Sequence, residues 1–236
     1  MDGKNPNSDK NLCRRDFLKN ATTVAAGLAV PKALEAESTG ALRTVSLGPH
    51  RVTRLIVGSN PIRGYSHFNP ITNRQMVEWY TDERAAQMLL DCEKAGINTF
   101  QSSYFQERWV RIIELFRQKG GQLQLICLTS AADFVPQVEH QTAEWVRDGQ
   151  FTAIDTLLKY KPIAMVHHGG HTDFLWRAGK LDYIKDYINK AHDVGCLAGI
   201  STVNPQILTA IEEKGFANDC APRAQRAEEG PMCVTA

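Results

Sequence analysis

A chain of 236 residues that is 43% hydrophobic carries enough apolar side chain for one sizeable core, which excludes a disordered polymer and makes one main domain the expectation. A net charge of +1 with no long run of one sign excludes the basic footprint of a nucleic-acid binder and points to small-molecule partners. Six cysteines, at positions 13, 92, 127, 196, 220 and 233, form no CxxC pair and no regular spacing, so neither a zinc ribbon nor a disulfide scaffold organises the chain. Cys127 and Cys196 lie in apolar runs and are expected as small buried core residues.

Near the amino terminus Arg14 and Arg15, followed by Phe17, Leu18 and Lys19, introduce a short alanine-rich apolar segment over 21–30. This resembles a twin-arginine export signal, with Cys13 standing where Ser or Thr is usual. The segment is too short to span a bilayer, and Cys13 precedes it, unlike a lipoprotein cysteine. The resemblance implies recognition by the export machinery through Arg14 and Arg15, a mature chain beginning between Glu37 and Leu42, and a periplasmic address. Residues 1–41 are thus expected to be signal and cleavage region, 42–215 the domain, and 216–236 an irregular tail without strand-like runs or periodicity.

Residues 45–51 read as a short hairpin before a first core strand over 52–58. The loop over 59–70, rich in Gly, Pro, Asn and Ser, is long for a strand-to-helix connection, and loops of that size usually serve a site. Asn60, Arg63, Tyr65 and His67 are its candidate ligand-contacting residues. Asp82 is expected to cap a helix over 83–95 that Gly96 stops, ahead of a strand over 97–103. A helix over 107–119 and a strand over 123–130 follow, then a helix-rich span over 135–160 and a strand over 163–168. A helix over 180–194, a strand over 196–202 and a helix over 205–214, with Pro205 at its start and Gly215 past its end, complete the series.

Five strands alternating with helices predict an α/β fold with a parallel sheet. Two architectures satisfy the alternation: TIM-barrel-like (β/α) units, about five of the usual eight, or an open doubly wound sheet. Polar residues at each strand's carboxyl end favour the barrel. Eight units need roughly 250 residues, so the chain is expected to be a barrel lacking its last three units, the alternative being an unusual complete fold with a disordered end.

Four stretches carry a family resemblance: Ala95 to Ser103, Ile126 to Ser130, Val166 to His168, and Gly199 to Leu208. Together they resemble strands two to five of the aldo/keto reductase superfamily, over roughly residues 52–215. The resemblance implies a barrel that reduces carbonyls with a nicotinamide cofactor, NADP, using an Asp, a Tyr, a Lys and a His. In this chain the aspartate position falls on Gln101 and the lysine position on Ser130, neither of which carries charge. Tyr104 lies near the tyrosine position, and His167 or His168 stands for the histidine, so these three are the catalytic candidates.

The most chemically dense stretch is Lys161 to His171, an apolar run that ends in two histidines, two glycines and a third histidine. Adjacent histidines on a strand point to opposite faces, so only one of His167 and His168 faces a barrel interior. His167 and His171, with Asp173, are the candidate ligands of a divalent metal that would serve a sugar isomerase, epimerase or lyase; the bland alternative is one core histidine and two on a polar loop. Gly169-Gly170 reads as a turn or a place of close substrate approach. Gln101, Thr129, Ser130, Ser201 and Asn204, with Asn60, Arg63 and His67, are candidate substrate contacts, Asn204 being equally a helix cap. Trp79-Tyr80 is a candidate sugar-stacking platform. Three readings follow: an exported aldo/keto reductase-like oxidoreductase acting on a carbonyl or sugar-like molecule, a metal-assisted sugar enzyme, or a non-catalytic binder or inactive remnant.

Overall fold

The structure is a computed structural model that describes residues 42–136 and 138–219. The export-signal segment, Arg14 and Arg15 included, and the tail from residue 220 onward lie outside the described residues. Among the described residues no helix is long and apolar enough to cross a membrane.

The chain opens with β1 (Thr44–Leu47) and β2 (His50–Thr53), an antiparallel hairpin in which Thr44 opposes Thr53. Five further strands form one parallel sheet: β3 (Val57–Gly58), β4 (Thr99–Ser103), β5 (Gln124–Thr129), β6 (Ala164–His167) and β7 (Leu197–Ile200). Their order in the sheet is their order in the chain, with every neighbouring pair parallel. The predicted α/β class and parallel pairing are therefore present.

Helices join the strands: α1 (Asn60–Arg63), α2 (Pro70–Trp79), α3 (Asp82–Lys94), α4 (Gln106–Gln118), α5 (Ala143–Leu157), α6 (Gly169–Arg177), α7 (Asp182–Asp193) and α8 (Pro205–Glu213). Short 3-10 turns occupy Ala131–Asp133 and Leu158–Tyr160. Crossovers of one hand that always step to the next strand in the same direction place their helices on one face of the sheet. The packing agrees. Phe100, Leu125, Cys127, Met165 and Ala198 pack with the buried stripes of the helices in the main core. Ile126, Ala164 and Val166, on the opposite face, form a second cluster with Val52 of the hairpin. Both thiols expected inside are buried, and burial pushes Cys127 up to about 12 and Cys196 up to about 11, so neither forms a thiolate at neutral pH.

The first core strand is shorter than predicted because the hairpin takes its first two residues. Val52 packs in the second cluster and Thr53 is buried, the Thr53 hydroxyl donates to the Leu55 carbonyl at 2.7 Å, and Leu55 is left exposed before the chain joins the sheet at Val57. Gly48, at φ 54°, lets the hairpin turn press on β7, since a Cβ there would sit 2.9 Å from the Leu197 side chain. The hairpin is tied down by Asn98. Its side-chain oxygen accepts from the Thr53 N–H at 2.9 Å and from the Thr99 hydroxyl at 2.8 Å, and its amide donates to the Arg51 carbonyl at 2.8 Å.

The predicted cap at Asp82 moves one residue. The Thr81 hydroxyl accepts from the Arg84 N–H at 3.2 Å and caps α3, which frees the Asp82 carboxylate to bind Arg108 at 3.1 Å and Arg111 at 2.7 Å on α4. Burial acts to raise the Asp82 carboxyl, but the hydrogen bonds from Arg111 and Arg108 outweigh it and hold the group below its ordinary range. Three helices were missed. α1 is a single turn inside the stretch that reads as a loop. α2 buries no residue and so carries no amphipathic stripe to read, and α6 begins at Gly169, in what reads as a turn. The contacts of the domain also run past Gly215: Phe216 packs on the main core, and Asp219 donates its N–H to the Ala198 carbonyl while its carboxylate accepts from the Ala198 N–H, both at 2.9 Å. Asp219 thereby covers one rung of the β7 edge.

Asn98→Ala removes the Asn98 side-chain ties at once, leaving the Thr53 N–H without this acceptor and the Arg51 carbonyl with only the Gln124 amide, at 2.9 Å. The expected outcome is a loss of about 2–3 kcal/mol in urea-induced unfolding, whereas a change within about 0.5 kcal/mol would show that the Asn98 side chain does not hold the hairpin.

Candidate functional site

The carboxyl ends of the strands carry most of the polar residues singled out from the sequence, and the pleat sorts them into two sets. Side chains alternate between faces, and register aligns them from strand to strand. Phe100 pairs with Leu125, Cys127 with Met165 and Thr129 with His167, all on the helix-covered face. Gln101 pairs with Ile126, Ser103 with Leu128 and Leu128 with Val166 on the inner face. Continued by one residue, the inner rows end at Ser130, His168 and Ser201; the His168 N–H donates to the Thr129 carbonyl at 3.1 Å and the Ser201 N–H to the His167 carbonyl at 3.0 Å.

His167 and Thr129 therefore face the helices. The His167 Nδ1–H donates to the Thr172 hydroxyl at 2.8 Å, which in turn donates to the His168 carbonyl at 3.2 Å. The Thr129 hydroxyl donates to the Val166 carbonyl at 3.0 Å and accepts from the Tyr187 hydroxyl at 2.9 Å, while the Tyr187 ring stands edge-on to His167 at 5.0 Å. These bonds fasten β5, β6, α6 and α7 together. Burial holds His167 neutral, down at about 3.

His168 lies on the opposite face and is half-buried. It is the N-cap of α6: its Nδ1 accepts from the Gly170 N–H at 3.1 Å, so the neutral ring carries its proton on Nε2. Burial, and then the positive charge of Arg63, lower its basicity. His171 has the same tautomer, because its Nδ1 accepts from the Ala131 N–H at 3.3 Å. It too is buried and neutral, down at about 4 through burial and the neighbouring His168, whose ring lies 5.5 Å away. Two neutral imidazoles with Nε2–H groups thus sit beside one another.

Arg63, at the end of α1, brings the long loop to this end of the sheet. Its guanidinium lies 4.8 Å from the Tyr65 ring and 5.5 Å from the Phe105 ring, within electrostatic reach of His168 and Asp133. Asp133, on the turn after β5, is a site residue the sequence reading missed; burial raises its carboxyl and Arg63 partly offsets that. Its signal was a lone carboxylate after the polar end of a strand. Gln150 was missed as well. It stands on the buried stripe of α5 between Val146 and Ala153, where an apolar residue is expected. Its amide donates to the Thr129 carbonyl at 3.0 Å and lies 3.2 Å from His171 Nδ1. Gly149 permits this approach, because a Cβ there would come within 2.4 Å of the Ala131 Cβ.

The remaining candidates separate. Asn60 and His67 form a pair 3.2 Å apart in the loop. Asn204 caps α8, accepting from the Gln206 N–H at 3.0 Å, and Asp173 binds the Thr202 hydroxyl. Tyr104 is packed between Phe134, stacked at 4.9 Å, and Trp109, edge-on at 5.7 Å; burial, then Tyr160, raises its phenol above the ordinary value. Trp79 is exposed with Arg84 over its ring at 4.5 Å, and its neighbour Tyr80 packs against the core.

The proposed metal ligands do not converge. His167 is turned to the helices, Asp173 is held by Thr202, and among the described residues no group of three or more His, Cys, Asp or Glu side chains is placed to hold an ion. The start of α6 is closely packed: the Gly170 N–H is taken by His168, and a Cβ on Gly169 would come within 3.1 Å of the Ser201 hydroxyl. Compared with known proteins, the chain matches no family model and no curated protein.

The buried imidazoles set a pH dependence. An unfolded histidine titrates near 6.5, whereas folded His167 and His171 do so at about 3 and about 4, so on acidification the unfolded chain takes up protons first. Their contribution is complete above about pH 6.5 and is lost progressively as pH falls toward the folded values, on the order of 1 kcal/mol per pH unit for each ring. Urea unfolding at about pH 7, 6 and 5 measures the slope, and His171→Gln is expected to reduce it; a stability that is flat over this window would contradict neutral burial.

Proposed function

We propose that this chain is a barrel-type protein similar to aldo/keto reductases, built from five (β/α) units, that takes a carbonyl-bearing or sugar-like small molecule at the carboxyl ends of its strands. The sequential strand order supports the barrel reading over a doubly wound sheet, whose order reverses at the ligand crevice. The observation that carries the functional reading is the tautomer of His168: a neutral ring, fixed by the Gly170 N–H, with its Nε2–H free of that bond and a guanidinium within electrostatic reach.

A neutral imidazole N–H is a donor to a carbonyl oxygen, and Arg63 adds positive charge on the side where that oxygen gains negative charge. Ser130 and Ser201, at the ends of the flanking inner rows, supply hydroxyls of the kind that bind a polyol. In this reading His168 polarises, Arg63 stabilises and the two serines orient. The catalytic activity that the resemblance implies is carbonyl reduction with NADP by an exported, periplasmic oxidoreductase.

A second reading, a non-catalytic binder, has its own support in Tyr104. A proton-donating phenol needs a lowered pKa, and this one is raised, packed between aromatic rings, with Gln101 and Ser130 at the positions where the resemblance expects an aspartate and a lysine.

Calorimetric titration with glyceraldehyde, a small hydroxyaldehyde, tests the shared claim. Saturable binding is expected, weakened about tenfold by His168→Gln and by Arg63→Gln. Binding that neither variant alters would place the ligand elsewhere and remove both readings. Consumption of NADPH in the presence of glyceraldehyde then separates them, since turnover abolished by His168→Gln supports the reductase and binding without turnover supports the binder.

A further inference from the structure

At the opposite end of the sheet from His168 a cleft of about 350 Å3 opens beside α4, β5 and the turn that leads into β6. Its floor is apolar: Ile113 and Leu125 are buried, and the half-buried Tyr160 ring is fixed edge-on against Trp109 at 4.8 Å. Its rim carries Arg117, Lys159 and Lys161 against one carboxylate, Glu114. The formal balance is three positive charges less one negative, a net of two positive.

Two features make this rim a built arrangement. Arg117 is pinned, donating from Nη1 to the Gly121 carbonyl and from Nη2 to the Leu123 carbonyl, each at 2.8 Å, so its charge is held at the cleft by carbonyls and not by a carboxylate. The nearby Glu93 exerts some attraction on Arg117 but spends a carboxylate oxygen on the Gln122 N–H at 2.8 Å. Lys161 occupies the left-handed region at φ 53° and ψ 54°, ending the turn where glycine is the inexpensive choice. Among the described residues none of the three cations is in an ion pair. Three cations gathered around a single rim carboxylate leave an excess of positive charge, and an anion relieves the repulsion within it.

We infer that this cleft binds a small phosphate monoester with an apolar body, its dianionic head matched to the rim's net charge of two and its body to the Ile113, Leu125 and Tyr160 floor. The volume lies at the lower end for ligand pockets, which suits a body of one ring or a short alkyl chain. The site lies apart from the strand-end residues and is independent of the function proposed for them.

Calorimetry of the full chain with phenyl phosphate tests the assignment. Saturable binding is expected that weakens as salt rises and falls at least about fivefold in the Lys159→Gln, Lys161→Gln double variant. Both lysines are exposed, so the variant should keep the parent's circular dichroism and unfolding midpoint, and Arg117, whose head ties down two carbonyls, is left in place. Inorganic phosphate should bind about tenfold more weakly, and benzyl alcohol without saturation. No saturation with phenyl phosphate up to about 10 mM, equal affinity in the double variant, or equal affinity for inorganic phosphate would each overturn the inference.

Discussion

A parallel sheet covered on both faces forces consecutive side chains into different environments, and that constraint governs most of what this structure does. Here one face belongs to the helices and the other to the hairpin, so a strand residue packs either against the helices or on the hairpin-covered face. His167 and His168 show the consequence. One residue apart, the first is fully enclosed and hydrogen-bonded to Thr172, while the second caps α6 at the open end of the sheet. The same division gives Thr129 to the Tyr187 network and Ser130 to the candidate site.

Around this division the polar chemistry is arranged by backbone donors. Neither His168 nor His171 has its tautomer fixed by a carboxylate; a peptide N–H does so in each case, Gly170 for one and Ala131 for the other. A ring that accepts at Nδ1 in a desolvated place stays neutral and offers a donor at Nε2. Such a pair is suited to polarising an oxygen and poorly suited to taking a proton at neutral pH. Positive charge at this end comes from Arg63, carried on a loop, whereas at the other end it comes from Arg117 and two lysines around an apolar floor. The two ends thus differ in kind: hydrogen-bond donors with one guanidinium above, a cationic rim below.

The strands and most helices were legible because their signals are local. Apolar runs between glycine-stopped helices located β4 to β7, and Pro205 and Gly215 bracketed α8. The failures share one cause. β2 borrows residues from the expected first strand because Asn98, forty-five residues away from Thr53, holds it. α2 has no buried stripe, and Gly169-Gly170 looks like a turn until the histidine before it serves as the cap. Asp133 and Gln150 escaped notice because each is an ordinary polar residue until Arg63, or Thr129 and His171, arrives beside it.

Sequence alone settled the α/β alternation, the buried thiols and the clustering of polar residues after the strands, since periodicity and punctuation depend only on neighbours along the chain. It could state that His167 and His168 face opposite ways, yet it could not say which way either faced. That choice, together with the raised phenol of Tyr104, the separation of Asp173 from the histidines and the charged cleft beside α4, was made by tertiary packing. The reason is physical: a side chain's face, tautomer and charge state are fixed by partners that the fold brings from distant positions, and no local pattern encodes them.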